Sequence, residues 1–172
     1  MASVTRPRTD TVEVPLIRPI NKEDSAAVVD LAVASGLFPA DEAEIVDKML
    51  ADYFGGNEED GHACVIDEED ELIGVAYYEP ARATGGTWYL TMIGVRREYQ
   101  GLGRGAALMR HVEDSLRTDG QRLLLVETSG TPDFALTRKF YAKLGYEEEA
   151  RVRDYYEAGD DMVLFSKNLK SD

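Results

Sequence analysis

Gln100-Gly101-Leu102-Gly103-Arg104-Gly105 lies between an apolar run, Trp88 to Val95, and an amphipathic run, Ala106 to Leu116. The order reads as strand, glycine turn and helix start. Three alternate glycines let the backbone take positive φ and approach a ligand with no Cβ in the way, while the first amides of the helix have no partner within it. Such a corner fits a diphosphate. The helix N-terminus carries partial positive charge, and Arg104 stands where its side chain is expected to add a full one near the phosphates. A P-loop is excluded, because its Gly-Lys-Ser/Thr ending is replaced here by Gly105-Ala106-Ala107. A dinucleotide-binding G-x-G-x-x-G turn is the nearer rival, since the acidic Glu127 ends the next apolar run, Leu123 to Val126. Against it stand a third glycine one residue early, a loop past mid-chain, and too few βα repeats after it.

Upstream of this corner, Leu16 to Ile20 reads as a first strand, and Asn21 as the cap of a helix through Ala26, Val29, Ala32 and Val33 that stops at Gly36. A second helix is expected after Pro39 and Asp41, with Ile45, Met49, Leu50 and Tyr53 on its apolar face and Gly55-Gly56 at its end. Ala63 to Ile66 and Leu72 to Tyr78 then form a hairpin around Asp67-Glu68-Glu69-Asp70, and Thr84-Gly85-Gly86 turns the chain into the strand Thr87 to Val95. Downstream, the helix after the glycine loop carries Leu108, Val112 and Leu116 on one face, with Gly120 beyond its end. Leu123 to Glu127 is a strand parallel to the one before. Pro132 opens a further helix through Phe140 and Leu144 to Gly145, and strands near Tyr146 to Tyr155 and Met162 to Leu169 close the chain. The predicted class is α/β with a mixed sheet in the order β-α-α-β-β-β-α-β-α-β-β. Residues 16–170 are expected to form one domain, and residues 1–15 a flexible N-terminal arm.

The 172 residues are 44% hydrophobic, enough for one buried core. No apolar run reaches the length of a membrane span, and Arg6, Pro7, Arg8 and Asp10 interrupt what would be a signal peptide, so no membrane association is expected. Cys64 is the only cysteine, which rules out an internal disulfide and a cysteine-based metal cluster and fits a reducing cytoplasm. A net charge of −14 argues against nucleic acid and would attract cationic amines or basic peptides, although the acidic runs Glu58-Glu59-Asp60 and Asp67 to Glu71 also read simply as solvated turns. His62 and His111 are too far apart to suggest a metal site, and Ser129 has no G-x-S-x-G elbow around it.

The order of elements, together with two segments, resembles the GNAT superfamily of acyl-CoA-dependent N-acyltransferases over about residues 16 to 169. One segment is Ile93-Gly94-Val95 followed by Gln100-x-x-Gly103-x-Gly105, which looks like the superfamily's Q/R-x-x-G-x-G/A pyrophosphate loop. The other is Phe140-Tyr141-Ala142-Lys143-Leu144-Gly145-Tyr146, similar to the family's helix-to-strand segment after the fifth strand. The resemblance implies a GNAT-like fold whose fourth and fifth strands splay apart, with acetyl-CoA as cosubstrate in the gap and no metal. Its pantetheine arm would pair with the backbone of Ile93, Gly94 and Val95, and its pyrophosphate would take amides of Gln100, Gly101, Leu102, Gly103, Arg104, Gly105 and Ala106. In place of an asparagine found in many members, this chain has Gly130-Thr131-Pro132-Asp133-Phe134. Relatives are often homodimers, which the resemblance allows here.

Acetyl transfer to an amine needs a deprotonated nitrogen, a polarised carbonyl and a stabilised thiolate. An alkyl ammonium with a pKa near 10 is only about one part in a thousand neutral at pH 7, so a base or a water chain must take its proton. Glu127, at the end of the strand facing the gap, is the first candidate base and Glu79 the second, with Trp88 and Tyr89 beside it as an acceptor lining; water or another residue remains open. Either carboxylate also fits a structural hydrogen bond. By resemblance, the Val95 amide polarises the carbonyl and Tyr141 gives a proton or hydrogen bond to the departing sulfur. From pattern alone Tyr141 reads first as a packed aromatic, on a face with Phe134 and Arg138, and it is the family match that favours the acid. Arg153, Asp154, Tyr155 and Tyr156 are an acceptor rim or a hairpin brace. The reading is an N-acetyltransferase acting on a primary amine of a small molecule or peptide in a ternary complex. A non-catalytic acyl-CoA-binding module and a dinucleotide-binding protein are the alternatives.

Overall fold

A computed structural model describes residues 16–170, so the arm expected over residues 1–15 lies outside the described residues. The chain begins with β1 (Leu16–Pro19) and reaches α1 (Ser25–Ala34) through one 3-10 turn over Lys22–Asp24. The Asp24 carboxylate ties this corner together, accepting the Asn21 amide and an Arg18 guanidinium N–H at 2.8 Å each. Next comes α2 (Ala43–Asp52), which widens into a π-type turn at Tyr53–Asn57 instead of stopping at Gly55. The buried face of α2 is Val46, Leu50 and Tyr53. Ile45, expected on that face, is 52% exposed, because one residue rotates a helical side chain about 100°.

The strands follow as β2 (Ala63–Glu68), β3 (Leu72–Pro80) and β4 (Thr87–Val95), then α3 (Arg104–Thr118), β5 (Leu123–Ser129), α4 (Ala135–Lys143), β6 (Glu147–Glu157) and β7 (Asp160–Asn168). They make one seven-stranded sheet ordered β1-β2-β3-β4-β5-β7-β6. Every neighbouring pair is antiparallel except β4–β5. That one parallel pairing follows from the crossover through α3, since a helical connection returns the next strand in the same direction.

Side chains alternate between two cores. On one face, Val28, Leu31, Val46 and Leu50 pack on Cys64, Ile66, Val75 and Met92. On the other, Leu108, Met109, Val112 and Leu116 cover Val65, Ala76, Leu90, Leu124 and Val126. Two bulges switch the alternation. Leu72 pairs with Glu68 and Gly74 with Asp67, leaving Ile73 as the extra residue. Tyr78 pairs with Leu90 but Tyr77 with Met92, leaving Thr91 as the extra one in β4.

The run Asp67 to Glu71 is not a solvated turn throughout. Glu69 to Glu71 are exposed, but Asp67 belongs to β2 and is fully buried on the α3 face.

Candidate active site

β4 and β5 pair only from Thr87–Leu123 to Leu90–Val126. Beyond that point β5 stays bonded to β7 as far as Ser129–Met162, while β4 stays bonded to β3 as far as Val95–Gly74. The strands therefore part at the Thr91 bulge, and the sheet carries a wedge-shaped notch. Main-chain groups of β4 supply its wall. The Arg96 amide donates to Ile73 O at 2.9 Å, so the antiparallel alternation turns Gly94 and Met92 toward β3, and Ile93 and Val95 toward the notch. Val95 O accepts the Gln100 side-chain amide at 2.8 Å, which fits that orientation. Of the three expected backbone partners, Ile93 and Val95 have their polar groups at the notch, and Gly94 has its own engaged with Val75.

Two clefts meet there. The first, of about 680 Å³, runs from Ile93 to Val95 along Gln100, Gly101, Gly103, Gly105 and Ala106 to the α4 side chains Thr137, Phe140 and Lys143. Gly101 (φ 74°) and Gly103 (φ 82°) are left-handed, so the loop needs glycine at both. A Cβ on Gly105 would stand 3.3 Å from the Phe140 ring, so this glycine lets α4 close against the start of α3. The first helical bond of α3 runs from the Ala107 amide to Gly103 O at 3.0 Å, and the amides of Arg104, Gly105 and Ala106 precede it. This is a cradle for an anion with the positive end of a 15-residue helix behind it.

The Arg104 side chain does not serve that cradle. Its guanidinium is 9% exposed and turns inward to Asp67 at 3.5 Å and to Glu69. A buried carboxylate on the α3 face draws it into the core, correcting the expectation of a full charge from Arg104 near the phosphates. The cation that does line this cleft is Lys143, in the last turn of α4. Leu102 is 70% exposed and lies outside the lining.

The second cleft, of about 800 Å³, opens on the other side of the notch between the α1–α2 connection and the β6–β7 hairpin. Thr91, Glu127, Thr128 and Ser129 form its base, and Tyr156, Glu157 and Asp160 one rim. Leu37, Phe38 and Glu42 line the opposite side. Asp160 accepts a hydrogen bond from Ser129 Oγ at 2.5 Å. Burial first, and then the nearby Glu127 charge, raise the Tyr89 and Tyr156 hydroxyls above their usual range.

Tyr141 lines both clefts and is 3% exposed. Its ring packs against Phe140, Tyr146 and Phe165. Burial alone holds its phenol well above the ordinary tyrosine range, with no hydrogen-bonding partner contributing. Tyr141 is thus a packed aromatic that also borders both clefts.

The candidate bases separate. Glu127 lies in the second cleft, on β5 where the strands part. Glu79 does not; it sits 3.4 Å from His62 Nδ1, and that nitrogen shares a 2.7 Å hydrogen bond with the Tyr77 hydroxyl. Trp88 packs on Tyr78 and, like Tyr89, lies outside both linings. Both belong to the stretch of β4 that is still paired with β5, before the strands part. Of the expected rim, Tyr156 reaches the cleft. Thr137, which borders both clefts, was not singled out from sequence; its position four residues before Tyr141 on one helix face was the available signal. Among the described residues, no group of three or more His, Cys, Asp or Glu is placed to hold a metal ion.

The model of the acetyltransferase (GNAT) family matches residues 21–146. A solved structure put forward as a GNAT-family acetyltransferase, from Desulfovibrio desulfuricans, aligns with a TM-score of 0.85 at 31% identity, covering 91% of this chain and 100% of that one. Another, put forward as an acetyltransferase from Salmonella typhimurium and solved with its cofactor acetyl-CoA, has the same fold at a TM-score of 0.75 and 20% identity, over 93% and 96% of the two chains. An uncharacterized N-acetyltransferase of Methanocaldococcus jannaschii is 31% identical over 85 residues, 48% of this chain and 52% of that protein. The match thus spans about half the length of that curated relative.

Proposed function

The chain belongs to the GNAT acetyltransferase family, and from that premise we propose that it moves an acetyl group from acetyl-CoA to a primary amine by direct transfer in a ternary complex. The observation that carries the reading is Tyr141, a buried side chain whose phenol has no hydrogen-bonding partner among the described residues and which borders both clefts where β4 and β5 part. Residues 16–170 act as one unit in this reading.

The residues of the first cleft fit acetyl-CoA. The Ile93 and Val95 main chain would pair with its pantetheine amides, and the loop amides through Ala106, with Lys143, would hold its phosphates. When bound, it supplies an acetyl thioester. In this reading the Val95 amide, turned toward the notch, polarises the carbonyl. Glu127, or water beside it, takes one proton from the incoming ammonium. As the nitrogen–carbon bond forms and the carbon–sulfur bond breaks, the thiolate gains a proton from Tyr141, which recovers one from the product nitrogen. Burial keeps the phenol protonated well into the alkaline range, as a general acid requires. In the net balance one proton leaves to solvent and one stays on CoA.

The experiment is release of CoA from acetyl-CoA across an amine panel, with the acetylated amine identified by mass spectrometry. Tyr141→Phe should lower kcat about 100-fold or more, the range for a positioned acid, at an unchanged Tm because no protein partner loses a bond. A wild-type rate in that variant would remove Tyr141 from the chemistry. Tight acetyl-CoA binding with no product on any amine would indicate an acyl-CoA-binding module, and a melt raised by NAD but not by acetyl-CoA would indicate a dinucleotide site. We assign a reducing compartment to the enzyme, since its only cysteine, Cys64, is buried and unpaired. Pairing of two copies is tested by equilibrium sedimentation; β6, exposed along its whole length at the sheet edge, is the strand to watch.

A further inference from the structure

The second cleft is acidic on every side. Glu127 stands on β5 at the notch, Glu42 comes from the α1–α2 connection, and Glu157 and Asp160 come from the β6–β7 hairpin. No Lys, Arg or His is among its lining residues. None of Glu42, Glu127 and Glu157 has an ion-pair partner among the described residues, and Asp160 takes only the Ser129 hydroxyl. The cleft is also tied to the chemistry, since the phenol of Tyr141, 97% buried and without a protein partner, borders it.

These features select among amines. An α-amino acid carries a carboxylate that this lining cannot pair and that four acidic side chains would repel. A monoamine has one charged centre, and that charge must be given up for the nitrogen to react. A molecule with two or more amino groups spaced along an aliphatic chain can lose a proton from one nitrogen and keep the others charged. Its methylene stem also matches the apolar Leu37 and Phe38 on the helical side.

Resting on the acetyl-transfer reading, we propose that the acceptor is a small polycationic amine, taken with one amino group beside Glu127 and Tyr141 and its remaining charge held at the acidic rims, Glu157 and Asp160 on one side and Glu42 on the other. The transfer balances as before: one nitrogen becomes an amide, CoA leaves as the thiol, and one proton goes to solvent. The product carries one charge fewer, which weakens its hold on the carboxylates and favours its release.

The test is steady-state turnover of the full chain with acetyl-CoA and five acceptors: 1,4-diaminobutane, spermidine, butylamine, glycine and a tripeptide of lysine. The expected order of kcat/KM is spermidine and diaminobutane above butylamine, with glycine lowest. Glu42→Gln and Glu157→Gln should each raise the KM for spermidine about threefold to fivefold, the range of partly exposed ion pairs, with the KM for acetyl-CoA unchanged. Butylamine or glycine turned over as well as spermidine would overturn the proposal while leaving acetyl transfer standing. A tripeptide of lysine preferred over spermidine by tenfold would overturn it in favour of a basic polypeptide. Failure of every one of these acceptors, with product on another amine of the panel, would overturn the proposal alone; no product on any amine, at normal acetyl-CoA binding, would reject acetyl transfer as well.

Discussion

Asp67 is fully buried, and its Oδ2 has no hydrogen-bond partner among the described residues. Burial raises its pKa, and the facing Arg104 only partly opposes this. With a folded pKa above the unfolded one, this carboxyl favours the fold most at low pH and loses that contribution as pH rises through the interval between the two values. Removing it is nonetheless costly, because the guanidinium stays buried: Asp67→Ala should lower stability in urea by about 3 kcal/mol, the low end for breaking a buried pair, since Glu69 still faces Arg104. Asp24 has the opposite sign. Its hydrogen bonds from Arg18, ahead of the opposing effect of burial, hold its pKa below the usual carboxylate range. The stability it contributes is present above the unfolded pKa and fades as pH falls through the lowered folded value. The Tm difference between wild type and Asp24→Asn should therefore be present at neutral pH and close in that acid window. Cys64 is 1% exposed, and burial pushes its thiol up to about 12. A thiol this protonated and covered should resist DTNB in the native protein and react fully in denaturant.

The glycine loop, α3 and the notch depend on one another. Gly103 is the residue just before α3, with φ 82°; a valine there is forced into a left-handed conformation at a cost of about 1–2 kcal/mol. Gly103→Val should weaken acetyl-CoA binding about tenfold by calorimetry, while the circular dichroism of the helices stays unchanged. This loop was legible in the sequence because glycine spacing and the switch from an apolar run to helical periodicity are local properties. So were all four helices and all seven strands, within a few residues at their ends. The bulge at Thr91 was not, since nothing in Leu90-Thr91-Met92 marks an extra residue until β3 supplies the register. Nor was the extent of the β4–β5 pairing, which holds Trp88 and Tyr89 in the closed part of the sheet with Glu79 opposite Tyr89 on β3. Arg104 was misread for a similar reason: its partner Asp67 lies 37 residues earlier in a run that looked uniformly solvated. The place of Glu127 beside the notch was legible because it directly follows the apolar run Leu123 to Val126, although β5 continues past it to Ser129.

The whole molecule carries −14, yet the two clefts differ in local charge. One offers a helix N-terminus and Lys143, the other four carboxylates. Long-range repulsion opposes an anionic acetyl donor and favours a cationic acceptor, and salt screens both. Raising ionic strength from about 20 to about 200 mM, which shortens the screening length severalfold, should therefore lower the KM for acetyl-CoA and raise it for spermidine. Equal shifts of the same sign would show that the two cosubstrates do not sense the global field as described. The parting of β4 and β5 has a kinetic corollary. It is fixed by the register of β3 against β4 and of β5 against β7, so the conformational entropy of shaping the gap is spent when the chain folds. No slow isomerisation need precede capture of the thioester. In stopped flow the observed rate should climb linearly with its concentration, without levelling off.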